Sequence, residues 1–471
     1  MRLIRGLREM IIELSEKYDT KQIAEMSFGK TNSVIDIKSI SIDSREISED
    51  TLFVAVRGEN TDGHKYIESA VKNGAKCVMC EKLPDGFSGD YILVEDTIKA
   101  ISDFASACRN NIAPFTVGVT GSVGKTTTKE FISYVLAEKY PTHKSGGNFN
   151  TVYGLSLTLA ALSSIHKAVV LEMGMSALGE ISCLTNIARP DVAVITNIGT
   201  AHLEALGSRE NICRAKLEIV EGLEKDGLLV YNGDEPLLWE KKDTFSKSVS
   251  FGIINSEVDV FGYNIRTVGE KTLFDMVYQG NDIKDIEIPT VGKHNVYNAL
   301  AAFVTGKTAG LSECEIRNGL KNYKPSGMRQ KIYEKNGVTV IEDCYNASPE
   351  SMKASLSVLA ELGKERRTVA VLGEMRELGE KGNELHKSVG RYAASLNIDR
   401  LYTYGEDALE IAVGGLEEGF DESSIIAYNK IDSPEGLAEI LENDLKSGDV
   451  VLFKASRAVA LEKVIEHLFK A

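Results

Sequence analysis

Lys125 and Thr126 stand in the run Thr120-Gly121-Ser122-Val123-Gly124-Lys125-Thr126-Thr127, which follows an apolar stretch and precedes the helix-like FISYVL. Glycines let backbone N–H groups approach phosphate oxygens, and a helix N-terminus adds a favourable dipole. The lysine brings charge to the β- and γ-phosphates, and the threonine hydroxyl suits Mg²⁺. The chemistry is that of a nucleotide triphosphate gripped with its metal. The G-x-x-x-x-G-K-[ST] form requires glycine at 119, where the chain has Val119, so the loop is the shorter T-G-x-x-G-K-T-T variant. A glycine-rich strand–helix turn with a chance Lys-Thr is the bland alternative. The strand before the loop and the helix after it argue against that.

Other candidates lie where apolar, strand-like runs end, because open α/β sheets bind ligands outside the carboxyl ends of their strands. Glu172 ends VVLE and is placed to hold Mg²⁺, or is a solvated strand-end acid. His202 follows VITNIGTA and could ligate metal, orient a phosphate or cap a helix. Lys216, in the helical ICRAKLEIVEGL, reads by itself as an ordinary surface lysine. Asn295 and Asn298 open a helix after His294; their amides could read an adenine edge, or one could be an N-cap. Arg329, in SGMRQK, could reach across a domain junction to a γ-phosphate. Asp343 and Asn346, in EDCYNASP, follow another strand, where an acid could hold ribose hydroxyls. Lys454 and Arg457 follow the last one, VVLFKASR, and an arginine fork there suits a substrate carboxylate.

These residues need a scaffold of strands alternating with helices. At 471 residues the chain has room for about three domains. With 43% hydrophobic and 26% charged residues it has ordinary globular composition. A net charge of -15 argues against a nucleic-acid surface, though not against a local phosphate pocket. The seven cysteines are scattered, as in a reducing compartment. Cys77 and Cys80 make a C-x-x-C with no second pair at zinc spacing, so two buried thiols in a strand are expected. MRLIRGLREMIIELSEKY reads as an amphipathic helix and not as a signal peptide, and no run is long enough to span a bilayer. The expected location is the cytoplasm.

Three blocks follow. Residues 1–112 carry short strands around one helix, a small α/β domain. Residues 113–322 carry the phosphate loop in a mostly parallel sheet, with an antiparallel flank between about 248 and 289. Residues 323–471 alternate strands and helices as a second doubly wound, Rossmann-like domain.

Taken together, VTGSVGKTTTKE, LEMGM, ITNIGTAHLE, RAKLEI and HNVYNALAA resemble the Mur ligase family across essentially the whole chain. SIDSRE, LFVAVRGENTDGHKY, DCYNASPESM, LGEMRELGE and LFKASR resemble those members that add D-alanyl-D-alanine. The resemblance implies an ATP-dependent, ADP-forming amide ligase of peptidoglycan synthesis, acting as a monomer on UDP-N-acetylmuramoyl-tripeptide. By that likeness the first block binds the UDP-sugar-peptide, the second ATP, and the third completes the site. Lys125 would bind the phosphates, and Thr126, Glu172 and His202 would serve two Mg²⁺ ions. Lys216 matches a lysine carbamylated by CO₂. Asn295 and Asn298 would contact adenine, Arg329 the phosphates and Asp343 the ribose. Ser44 and Arg45 match the uridine-binding segment, while Asn148, Asn346 and Arg457 would lie near the dipeptide and peptide carboxylates. Two alternatives are a family ligase with another amine acceptor and a non-catalytic nucleotide-binding relative.

Overall fold

Three sheets divide the computed structural model, which describes residues 11–58, 61–431 and 433–469. The first sheet contains β1 (Ile11–Asp19), β2 (Lys30–Thr31), β3 (Asp36–Ser41), β4 (Thr51–Val54), β5 (Cys77–Cys80) and β6 (Asp90–Leu93), in the order β1-β3-β4-β5-β6-β2. Its inner four strands are parallel, and β1 and β2 close the edges antiparallel. Here the N-terminal expectation fails. The described part of that segment is a strand paired with β3, and residues 1–10 lie outside the described residues. Ile12, Leu14 and Tyr18 pack on the sheet core while Glu13, Ser15 and Lys17 are exposed. That is a period of two, which interspersed charges had made look like a helix stripe. Cys77 and Cys80 are buried free thiols on opposite faces of β5, and desolvation pushes them up to about 12 and about 11.

The central sheet has nine strands: β7 (Phe115–Thr120), β8 (Thr142–Lys144), β9 (Ala168–Glu172), β10 (Val192–Ile195), β11 (Leu228–Asn232), β12 (Ser248–Gly252), β13 (Val260–Val268), β14 (Lys271–Tyr278) and β15 (Asn281–Ile288). Their order is β15-β14-β13-β12-β11-β10-β7-β9-β8, parallel from β8 to β13, with β14 and β15 antiparallel. β9, β10 and β11 are buried along their whole length, as mostly apolar strands covered on both faces of a parallel sheet must be. One face packs the helices Lys125–Ala137 and Lys293–Thr308, and Phe131 stacks on Tyr323 with ring centroids 3.9 Å apart. The other face packs the helices Val152–Ala160, Glu180–Ala188 and Arg209–Leu217. The chain leaves β7 toward β8 and β9 on one side and later returns as β10 on the other. The carboxyl end of β7 is therefore the topological switch point, where a crevice must open.

The third sheet runs β16-β17-β21-β18-β19-β20, from β16 (Lys331–Lys335), β17 (Val338–Glu342), β18 (Thr368–Gly373), β19 (Arg400–Tyr404), β20 (Ile425–Tyr428) and β21 (Val450–Lys454). All but β16 are parallel. The three sheets share packing. Leu157 and Ala160 of the central region complete the first core, and Val291 enters the third. Among the described residues no helix is long and apolar enough to cross a membrane.

Candidate active site

A cavity of about 1150 Å³ opens at the carboxyl ends of the central strands and is walled by all three regions. Arg57 comes from the first, the phosphate loop, Glu172 and His202 from the second, and Arg329, Asp343 and Asn346 from the third.

The phosphate loop leaves β7 with Gly121 at φ 149° and enters its helix through Gly124 at φ 87°. A Cβ on Gly121 would fall 1.8 Å from Thr196 Oγ1, so only glycine fits there. The residues after β10 brace the loop: Thr196 Oγ1 donates to Val123 O at 2.5 Å, and Asn197 Oδ1 accepts from Val123 N at 2.9 Å. Among the described residues Lys125 Nζ donates only to backbone carbonyls, those of Gly121 at 2.7 Å and Ser122 at 3.4 Å. Desolvation pushes its pKa down; Glu172 opposes this and the charge of Arg329 adds to it. Arg329 stacks 4.1 Å over Tyr345 and has no carboxylate partner among the described residues.

Thr126 Oγ1 donates to Glu172 Oε2 at 2.6 Å, and Asn150 Nδ2 donates to Glu172 Oε1 at 3.2 Å. The wholly buried Lys129 lies 4.0 Å from the same carboxylate and donates to Ser145 O at 2.8 Å. Asn150 and Lys129 carry no signal in the sequence that separates them from neighbouring polar residues. Among the described residues no three His, Cys, Asp or Glu side chains cluster as a ready-made metal site. The Thr126 hydroxyl and Glu172 carboxylate nevertheless form a hard-oxygen pair beside a phosphate loop. That suits Mg²⁺, which takes one or two protein oxygens and fills its shell with phosphate and water.

Lys216 is not the surface lysine its helix suggested. It is 2% exposed, on the buried face of Arg209–Leu217 with Ile212, Cys213 and Ala215. Burial first, then the charge of Lys125, drive its pKa well below the usual lysine range. His202 does precede a helix, Leu203–Leu206, but its side chain makes no cap; its Nδ1 lies 2.8 Å from Glu377 Oε2 of the third region. Nor is either asparagine an N-cap. Gly292 takes that position, and Asn295 Nδ2 donates to Thr290 Oγ1, Val291 O and Gln330 Oε1, while Asn298 Oδ1 accepts from Thr128 at 2.8 Å beside Gly124. Gln330 also pairs with His294 at 2.9 Å and ties this helix to the third region.

Asp343 is held by Lys454 Nζ at 2.6 Å and Ser355 Oγ at 2.6 Å. Burial works against its charge, but these partners hold the carboxyl below the usual range. Asn148, Thr127 and Asn346 also line the cavity. Seven expected residues are not in its lining: Thr120, Gly121 and Thr126 of the phosphate loop, the buried Lys216, and Ser44, Arg45 and Arg457. Arg457 pairs with Glu462 at 2.5 Å. Ser44 and Arg45 sit past the end of β3, where Arg45 grips Asp43 at 2.9 and 2.5 Å and Asn73 Nδ2 donates to Ser44 O at 2.7 Å.

The chain matches three family models: the Mur ligase family catalytic domain at residues 36–107, the Mur ligase middle domain at 119–306 and the Mur ligase glutamate ligase domain at 328–457. It is 39% identical to the UDP-N-acetylmuramoyl-tripeptide–D-alanyl-D-alanine ligase of Bacillus subtilis (strain 168), over 97% of this chain and 99% of the relative. Among solved structures it is similar to MurF from Acinetobacter baumannii, with TM-score 0.89 and 29% identity over 98% of this chain and 100% of that one. It is also similar to MurF ligase from Thermotoga maritima in complex with ADP, with TM-score 0.81 and 32% identity over 92% and 97%.

Proposed function

The chain belongs to the Mur ligase family, and from that premise we propose that it joins D-alanyl-D-alanine to the peptide carboxylate of UDP-N-acetylmuramoyl-tripeptide, using ATP, in peptidoglycan precursor synthesis. The observation that carries this reading is the meeting, at one cavity, of Lys125, of Glu172 with Thr126 bonded to it, and of groups from the outer regions.

A carboxylate is a poor electrophile. Transfer of the γ-phosphoryl of ATP to it gives an acyl phosphate and ADP. The free amine of the dipeptide then attacks the acyl carbon, and the tetrahedral intermediate expels phosphate and leaves an amide. Lys125 and Arg329 are the cations available to the charge that builds on the transferring phosphoryl oxygens. Asn295 and Asn298 are assigned to the adenine, and Asp343 to the ribose. Mg²⁺, two ions in this reading, would be held by Thr126, Glu172, His202 and a carbamate on Lys216, and would neutralise phosphate charge.

The depressed pKa of Lys216 supports the carbamate. A neutral amine nitrogen attacks CO₂ and loses a proton, which turns a buried, unpaired base into an anion. Residues 1–112 are assigned to the UDP-sugar-peptide through Ser44 and Arg45, residues 113–322 to ATP, and residues 323–471 to closing the site. Asn148 and Asn346 are assigned to the dipeptide. Arg457 would have to leave Glu462 to reach a peptide carboxylate. Packing of the third region over the cavity excludes water that would hydrolyse the acyl phosphate.

The test is phosphate release from ATP with each substrate omitted in turn. Release that needs both the nucleotide-tripeptide and D-alanyl-D-alanine, with the pentapeptide seen by mass, is expected. Release only with a different amine would move the acceptor, and ATP binding without release under any combination would sink the ligase reading.

A further inference from the structure

The segment after β10 carries His202 and is gripped from the third region at two points. Glu350, in the first turn of the helix Pro349–Leu362, accepts from the Thr200 backbone N–H at 3.0 Å and from its hydroxyl at 2.9 Å. A Cβ on Gly199 would lie 3.0 Å from Glu350 Cδ, so the carboxylate lies directly on the loop backbone. Glu377, beyond β18, meets His202 Nδ1 at 2.8 Å, and its own carbonyl accepts from Glu204 N–H at 3.4 Å. His202 at φ 64° and Glu377 at φ 65° are both in the left-handed region. Side chains with a Cβ stay there only where their surroundings impose it, and such strain gathers at functional sites. In this case each strained residue is the other's partner across the junction.

The geometry points to Glu377 and Glu350 as positioning residues. Seating of the third region on residues 199–204 fixes the His202 ring, with Nδ1 taken by Glu377 and Nε2 left as the free nitrogen at the cavity wall. A ring whose second nitrogen is tied to a carboxylate is held in one tautomer and one orientation, as metal-facing histidines require. Docking of the third region and competence of the metal site are thereby one event. Glu350 holds the loop and Glu377 aims the ring.

This inference rests on the nucleotide–metal part of the proposed function, and its test separates the two. The probe is Mn²⁺ binding to the full chain in the presence of ADP, followed by electron paramagnetic resonance. Glu377→Ala and His202→Ala should each weaken Mn²⁺ by about tenfold. The double variant should be no weaker than His202→Ala alone. Glu377→Gln keeps an acceptor for Nδ1–H and should recover most of the affinity. Glu350→Ala should enlarge the radius of gyration of the ADP-bound protein in X-ray scattering. Unchanged Mn²⁺ affinity in Glu377→Ala, losses that multiply in the double variant, or unchanged scattering in Glu350→Ala would each overturn the inference and leave the ligase reading intact. Wild-type protein that holds no Mn²⁺ with ADP would overturn both.

Discussion

The central and third regions are both parallel α/β sheets with charged side chains at their strand ends, yet they treat those charges in opposite ways. In the third region the cations at the strand ends are matched, and Arg329, which stacks on Tyr345 at the cavity, is the exception. Lys454 is bound to Asp343 at 2.6 Å and Arg457 to Glu462 at 2.5 Å, and Arg376 sits between Glu374 and Asp407. In the central region, among the described residues, Lys125 donates to carbonyls alone and feels Glu172 only through space, and Lys216 is buried with no acid bonded to it. Burial lowers the pKa of both, well below the usual lysine range for Lys216, while Glu172 opposes the shift at Lys125. Matched charges hold a surface in shape, whereas unmatched ones wait for a ligand to match them. The central region is built to be completed by phosphate, metal and CO₂, and the third to hold them in place.

The contrast breaks most visibly if Lys125 proves dispensable. Lys125→Ala should lower phosphate release by about 10³-fold, the scale of one preorganised donor to a developing anion, as measured with saturating substrates. In the third region the matching pair should matter for folding. Lys454→Met leaves Asp343 buried and uncompensated, and should cost about 3–5 kcal/mol in thermal or denaturant unfolding.

Lys216 should show the reverse. Its pKa in the folded chain lies below its unfolded value, so below about pH 10 the unfolded chain binds the extra proton and folding is disfavoured. Lys216→Met should therefore unfold at a higher temperature at pH 7 while losing activity by about 10²-fold or more, the scale of a lost metal ligand. Lys216→Ala should regain part of its activity with a short carboxylic acid; no recovery, and no dependence on CO₂, would refute the carbamate.

His143 on β8 sharpens the comparison in acid. Burial, then its neighbour His166, push its pKa from 6.5 to about 4. The unfolded chain takes up that proton first, so stability is full above pH 6.5 and falls toward pH 4, and His143→Gln should flatten that slope in unfolding measured against pH. Arg457→Gln is the smallest change. Its half-exposed pair should contribute no more than about 1 kcal/mol to stability, and phosphate release should change by less than about threefold.

Local pattern was enough for the central strands. β9, β10 and β11 are short, mostly apolar runs without helical periodicity. It was not enough for edges. β16 and β20 are short and only partly buried; β16 is broken by charges, and the four residues of β20 are too few to set a period. β1 was mistaken for a helix because its charges fall at spacings compatible with either period.

The sequence alone determined the phosphate loop. Its function rests on glycine conformations and a helix N-terminus, which neighbouring residues specify. It determined also that acids, amides and basic side chains would gather at strand ends. Only the tertiary structure decided what each of them faces. Lys454 meets Asp343 across 111 positions, and His202 meets Glu377 from another sheet. Lys216 is buried because the helix face it shares with Ile212 and Ala215 turns toward the core. Burial and pairing are properties of the assembled fold, and they set the charge state on which the chemistry depends.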